Sequence, residues 1–218
     1  AMFLAGVKYR LGYGITGGSF MLTHQAPYMD TMHETSRNMA LLKPLGVKSQ
    51  TPEIKLYLSG EDAREADLLL KETDVEGEYA VLHAVPGHFT KNWEAGSFAQ
   101  VARYLQDKKK LKPVMVGGDD DRGETPGIID LSGKTSLTVL GQVLSRASIF
   151  IGVDSAPAHI AAAANIPTVV LFSGVNDPEQ WAPKGGNVRI IYPGKGKDLS
   201  GVDAEEACRV IDEVIGSR

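Results

Sequence analysis

Cysteine is nearly absent. Cys208 is the only one in the chain, so no internal disulfide can form, and the composition suits a reducing compartment. Basic excess is missing too: 23 Lys and Arg face 27 Asp and Glu, a formal net charge of −4, so no overall basic field invites nucleic acid or anionic lipid. The single basic run, Lys108-Lys109-Lys110, falls at an expected helix end and reads as a solvated face. No apolar stretch is long enough to span a bilayer, because the best one is interrupted by Asn165 and Pro167. No secretory signal precedes the first elements, and Ala1 ahead of Met2 reads as a tag remnant before an initiator methionine. A soluble, cytoplasmic protein is expected.

Several signature motifs are also missing. No G-x-G-x-x-G follows a strand, no G-x-x-x-x-G-K-[ST] forms a phosphate loop, and no G-x-S-x-G makes a nucleophile elbow. No cysteine and histidine spacing suggests zinc. Asp154, Ser155 and His159 supply the letters of a hydrolase triad, but an Asp cannot reach behind a His on the helix it caps.

What is present is an alternation of strand and helix patterns. The 24 glycines suit a loop-rich α/β protein, and the 43% hydrophobic content is enough for a core. Residues 1–57 are glycine-rich and weakly patterned: residues 8–14 read as a short strand running into a loop, and residues 17–27 as loop. A helix capped by Asp30 or Thr31 is expected to end before Pro44, with His24 and His33 read as surface or satisfied histidines. Ser59-Gly60-Glu61-Asp62 opens a helix to about Thr73, and Gly77 then breaks the chain. Strands are expected at 79–85, 112–116, 149–153, 168–172 and 188–192, alternating with helices at 97–108, 136–147, 156–164 and 203–214. The division expected is 1–57, a linking helix over 58–77, and a Rossmann-like doubly wound parallel sheet over 78–218.

The centre of that pattern runs from Ile149 to Phe172. Two continuous apolar strands flank a polar turn and a helix of small residues, and the polar residues fall where the first strand ends. Asp154 and Ser155 suit an N-cap, and Pro157 suits the first turn. The N–H groups of Ser155, Ala156 and Ala158 are expected to point outward at the positive end of the helix dipole, where a phosphate or diphosphate fits, with His159 as a further donor. An ordinary strand-to-helix turn with a capping Asp and a core His is the alternative. Loops after neighbouring strands converge on the same edge. They offer Thr90 and Lys91, which could meet a phosphate or face solvent. They also offer Asp119, Asp120 and Asp121, whose D-x-D spacing could hold a cation, bind a ribose or be solvated.

The run Asp154-Ser155-Ala156-Pro157-Ala158-His159-Ile160-Ala161-Ala162-Ala163, followed by Ile166-Pro167-Thr168-Val169-Val170-Leu171-Phe172, closely resembles the signature of glycosyltransferase family 9. These are the bacterial lipopolysaccharide heptosyltransferases. Asn176 to Pro183, Thr90-Lys91-Asn92-Trp93 and Lys134-Thr135-Ser136-Leu137 fit the same family in the same order, and the Ser-Ala-Pro variant is similar to its heptosyltransferase III branch. Leu4 to Tyr13 and His33 resemble a region deep inside the family's N-terminal domain. The resemblance implies a GT-B fold of two Rossmann-like domains, which needs roughly 300 residues or more. The chain is therefore expected to carry the C-terminal half with a remnant of the N-terminal acceptor domain.

By that resemblance the activity is an inverting transfer of a sugar from a nucleotide-diphosphate donor, ADP-heptose, to a hydroxyl of a lipopolysaccharide core. Ser155, Ala156, His159, Thr90 and Lys91 hold the diphosphate, Asp154 accepts sugar hydroxyls, and Thr135 with Asp120 in its acidic loop borders the adenosine. No cofactor and no metal is implied. No residue matches the family's base, so donor binding without transfer is expected from this chain alone. The absent part of the acceptor domain would supply contact with the inner face of the inner membrane, and an uncovered apolar face would favour a homodimer. A non-catalytic nucleotide- or phosphate-binding module is the alternative.

Overall fold

A computed structural model describes residues 2–15, 17–48, 54–84, 93–121 and 125–216 of the 218-residue chain. The chain divides into two compact units, residues 1–54 with 179–181 and residues 55–178 with 182–218.

In the first unit, β1 (Leu11–Tyr13) pairs in parallel with β2 (His24–Ala26), and α1 (Glu34–Ala40) follows. The segment 17–27, expected to be loop throughout, contains a 3-10 turn at Ser19–Met21 and then β2. Too short for a periodic signal, β2 is held by its pairing with β1. Helix α1 also starts later than expected, because His33 and not Asp30 or Thr31 is its cap, with Nδ1 accepting from the Thr35 N–H at 3.2 Å. The carbonyls of Asp30 and Met32 both accept from the buried Arg37 guanidinium at 3.3 Å, which turns residues 30–32 into a loop closed around it. Arg37 also pairs with Glu34 at 2.7 Å and stacks over the Tyr28 ring at 4.5 Å. Leu4 and Phe20 are largely exposed.

The second unit is built on buried aliphatic runs that read as parallel strands. The strands β3 (Tyr79–His83), β4 (Lys112–Met115), β5 (Ile129–Asp130), β6 (Ile149–Val153), β7 (Thr168–Leu171) and β8 (Val188–Ile191) form one parallel sheet in the order β5-β4-β3-β6-β7-β8. The two-residue β5 was not expected from the sequence. Alternate residues face opposite sides. Tyr79, Val81, Phe150, Val170 and Phe172 join a core with α2 (Gly60–Glu72), α4 (Leu137–Ser145) and α5 (Ala156–Ala163). Leu82, Ile149, Ile151, Val169 and Leu171 pack on the other side with α3 (Ala95–Lys109) and α7 (Ala204–Ile215). A short helix, α6 (Pro178–Trp181), follows β7.

Ser59 and Asp62 cap α2 reciprocally, as the Ser-x-x-Asp spacing promises. The helix belongs to the second unit: Thr138 Oγ1 on α4 donates to Asp62 Oδ1 at 2.6 Å, and Arg146 pairs with Asp67. The basic run at the end of α3 is not a uniformly solvated face. Lys109 is buried, donating to Asp212 of α7 at 2.7 Å and to the Gly216 carbonyl at 3.3 Å. Its aliphatic stem covers apolar surface while its charge meets a carboxylate. Among the described residues no helix is long and apolar enough to cross a membrane.

Candidate functional site

Strand β3 begins the sheet in its middle, the chain then runs outward through β4 and β5, and β6 returns to the other side of β3. The connections leave the carboxyl ends of β3 and β6 in opposite directions, which opens a crevice where open α/β sheets take ligands. The register pairs His83 with Gly152 at that end. Gly152 is sterically required, since a Cβ there would lie 2.7 Å from Phe150 Cζ and 3.0 Å from both Cβ and O of His83. His83 is buried, with Nδ1 at 2.9 Å from the Val116 carbonyl, and burial pushes its pKa below the ordinary value against the opposing pull of that carbonyl and of Asp121. No motif or spacing singled it out beforehand.

The turn after β6 carries the chemistry. Asp154 is 6% exposed, its N–H extends the ladder to the Leu171 carbonyl at 3.1 Å, and its Oδ2 accepts from Asn176 Nδ2 at 2.8 Å. Ser155 occupies the N-cap position of α5, but its side chain makes no capping bond: Oγ donates back to the Val153 carbonyl at 3.0 Å. The first turn of α5 is thus left without a side-chain cap. Of the three N–H groups expected to face a ligand, that of Ala158 is taken, bonding to the Ser155 carbonyl at 3.1 Å. The outward donors reduce to Ser155 and Ala156, neither of which has a main-chain acceptor among the described residues. Ala156 and His159 are both exposed, on the first turn. Ala158, Ala161 and Ala162 are buried, so small residues bring the helix close to the sheet.

Thr90 and Lys91 lie outside the described residues. The first described residue after them, Trp93, is buried, donates from Nε1 to the Val202 carbonyl at 2.7 Å and meets Phe98 edge to face at 4.9 Å. Asp120 is exposed within a 3-10 turn, Asp119–Asp121, after β4. Asp121 turns inward to accept from the Gly118 N–H at 2.8 Å, so the three carboxylates do not converge. Among the described residues no group of three or more His, Cys, Asp or Glu side chains could hold a metal. Thr135 is half-buried in the turn before Ser136, which caps α4 by accepting from the Val139 N–H at 3.2 Å.

Asn176, from the loop after β7, was expected at this edge of the sheet, but its bond to Asp154 was not. That loop is tied to the one after β8: Gly174 N–H donates to the Lys197 carbonyl at 2.6 Å, and Gly196 N–H to the Gly174 carbonyl at 3.0 Å. Adjacent parallel strands end side by side, so residues 22 apart in sequence meet.

The family model described as glycosyltransferase family 9 (heptosyltransferase) matches residues 2–207. Lipopolysaccharide heptosyltransferase 3 of Escherichia coli (strain K12) is 32% identical over 192 residues, covering 84% of this chain and 55% of that protein. Among solved structures, ADP-heptose lipopolysaccharide heptosyltransferase II of E. coli superposes with a TM-score of 0.79 at 17% identity, over 98% of this chain and 72% of that one. An E. coli heptosyltransferase solved with ADP gives a TM-score of 0.65 at 19% identity, over 89% and 61%. The chain spans about half the length of the curated relatives it matches. Its α/β fold, with a six-stranded parallel sheet, corresponds to part of the GT-B heptosyltransferase structures. On the extent of the family match, the chain belongs to glycosyltransferase family 9.

Proposed function

We propose that this chain binds the activated donor of an inverting sugar transfer, ADP-heptose, on the way to a hydroxyl of a lipopolysaccharide core. The observation that carries the reading is the start of α5. It sits at the topological crevice, lacks a side-chain cap and presents the Ala156 amide and His159 beside the held carboxylate of Asp154. Helix N-termini of this kind favour diphosphate through amide donors and the helix dipole. Stabilising the charge that builds on the leaving diphosphate is how such a site speeds transfer. In this reading Ser155, Ala156, His159, Thr90 and Lys91 meet the phosphates and no metal is assigned a role. Asp154 accepts hydroxyls of the sugar, and Thr135 and Asp120 border the adenosine. Residues 1–57 contribute to the acceptor side, and no residue of this chain is assigned as the base, so the chain alone holds donor without transferring it.

Calorimetric titration with ADP, UDP and GDP tests this. ADP is expected to bind best, and Lys91→Ala to weaken it by about 1–3 kcal/mol, the loss of a charge-assisted hydrogen bond. His159→Ala is expected to weaken it as well. Absence of nucleotide binding, or unchanged affinity in both variants, refutes the site. A second reading is a nucleotide-binding module without transferase activity, which the same uncapped helix start would serve. Sugar transfer from ADP-heptose to a lipopolysaccharide core by this chain would exclude it.

A further inference from the structure

The loop after β7 faces the site from the side opposite β3, and its contacts give it a definite task. Asp154 is 6% exposed, and a carboxylate removed from water needs donors to hold it in one orientation. Asn176 Nδ2 supplies one of them, at 2.8 Å from Oδ2. The Asn176 side chain is itself placed by its loop. Gly174 is clamped between the Lys197 carbonyl and the Gly196 N–H. A Cβ on Gly174 would run into the Gly194 carbonyl oxygen and lie 2.5 Å from the Gly196 nitrogen and 2.6 Å from that of Lys197. Main-chain atoms surround it, so the loop cannot yield locally at that point. The relay runs from the 194–197 segment through Gly174 to Asn176 and ends on the carboxylate of Asp154.

We propose that Asn176 is a positioning residue for sugar recognition: by donating to one oxygen of Asp154 it fixes the orientation in which that carboxylate meets the hydroxyls of the donor sugar. The amides at the start of α5 recognise the diphosphate independently. This assignment rests on the donor-site reading above, and it divides the site into two parts: the helix start sets affinity for the nucleotide, and the Asn176–Asp154 pair sets the additional affinity for the sugar. A carboxylate held in place discriminates more sharply than one that must be ordered by its ligand, because the ordering entropy is spent before binding.

Titrating the full chain with ADP and with ADP-heptose separates the two. The unsubstituted chain binds ADP-heptose more tightly than ADP. Asn176→Asp keeps the shape, removes the donor and sets a second carboxylate against Asp154. ADP affinity then stays within about twofold, while ADP-heptose loses its advantage, about tenfold for one hydrogen bond to a charged group. Asn176→Ala gives the same split without the added repulsion, so the test survives if the Asp variant folds poorly. Asn176→Gln, which keeps an amide donor on a longer stem, recovers part of the sugar increment, and Gly174→Ala loses it by displacing the loop.

Equal loss of ADP and ADP-heptose in Asn176→Ala would show a merely structural role and overturn the assignment. So would affinities unchanged for both ligands, or an unsubstituted chain that binds the two equally; the nucleotide-site reading survives those two results. A chain that binds neither ligand removes the nucleotide-site reading, and this assignment with it.

Discussion

Replacing Gly152 by alanine puts one methyl group where the sheet has no room for it. The added Cβ would meet Phe150 Cζ at 2.7 Å, His83 Cβ at 3.0 Å and the His83 carbonyl oxygen at 3.0 Å. The Phe150 ring tip could swing away only within a core where that side chain is fully buried. The His83 carbonyl is main chain in the neighbouring strand and cannot swing at all. Either the ring leaves its rotamer or β3 and β6 separate by a few tenths of an ångström, and overpacking of this sort costs about 1–3 kcal/mol. The double contact argues for the upper half of that range. At roughly 2–4 °C per kcal/mol for a unit of this size, the melting temperature should fall by about 4–12 °C.

Urea denaturation followed by circular dichroism measures the cost directly. The companion substitution is Gly96→Ala in the first turn of α3, where a Cβ meets nothing within 4 Å. It should raise stability by about 0.5–1 kcal/mol through helix propensity. A Gly152→Ala protein as stable as the unsubstituted one would refute the argument that strand approach, and not chance, requires glycine at this position. Because His83 and Gly152 pair at the carboxyl end of the sheet, the variant should also weaken ADP binding.

Two further outcomes follow from buried charge. Burial lowers the His83 pKa, so the unfolded chain takes up the proton first as pH falls. The stability that His83 contributes is present above about pH 6.5 and is lost toward the lower folded value, at up to about 1.4 kcal/mol per pH unit. Urea midpoints measured from pH 7.5 downward should show this slope in the parent chain and a shallower one in His83→Asn; equal slopes would refute it. Asp212→Ala should cost about 3 kcal/mol and Lys109→Met about 1 or less, because the first strands an ammonium whose side chain is 7% exposed while the second leaves a carboxylate that is 43% exposed and can rehydrate. Equal costs would show that the pair acts through packing alone.

The sheet was legible because its central strands are fully buried on both faces and announce themselves as aliphatic runs, as Ile149 to Val153 and Thr168 to Leu171 do. Helix α2 was legible because Ser59 and Asp62 spell a reciprocal cap. By contrast β2 and β5 have three and two residues, shorter than any periodicity, and exist through pairing with a neighbour. The cap of α1 was misplaced because Asp30 is a better cap by type than His33, and only the fold shows that Arg37 binds the Asp30 carbonyl. At the site, the helix start at Ser155 could be read from local chemistry, whereas the bond of the Ala158 amide to the Ser155 carbonyl could not. The Asn176–Asp154 bond joins two loops whose meeting depends on strand register, which no local pattern encodes.

Trp93 has a use that its packing role does not suggest. The indole is 4% exposed and lies two residues beyond Lys91, while the only other tryptophan, Trp181, is 39% exposed. A shielded indole emits at shorter wavelength than a hydrated one. The chain therefore carries its own optical reporter two positions along the sequence from Lys91, readable at the blue edge of the emission spectrum without any attached dye.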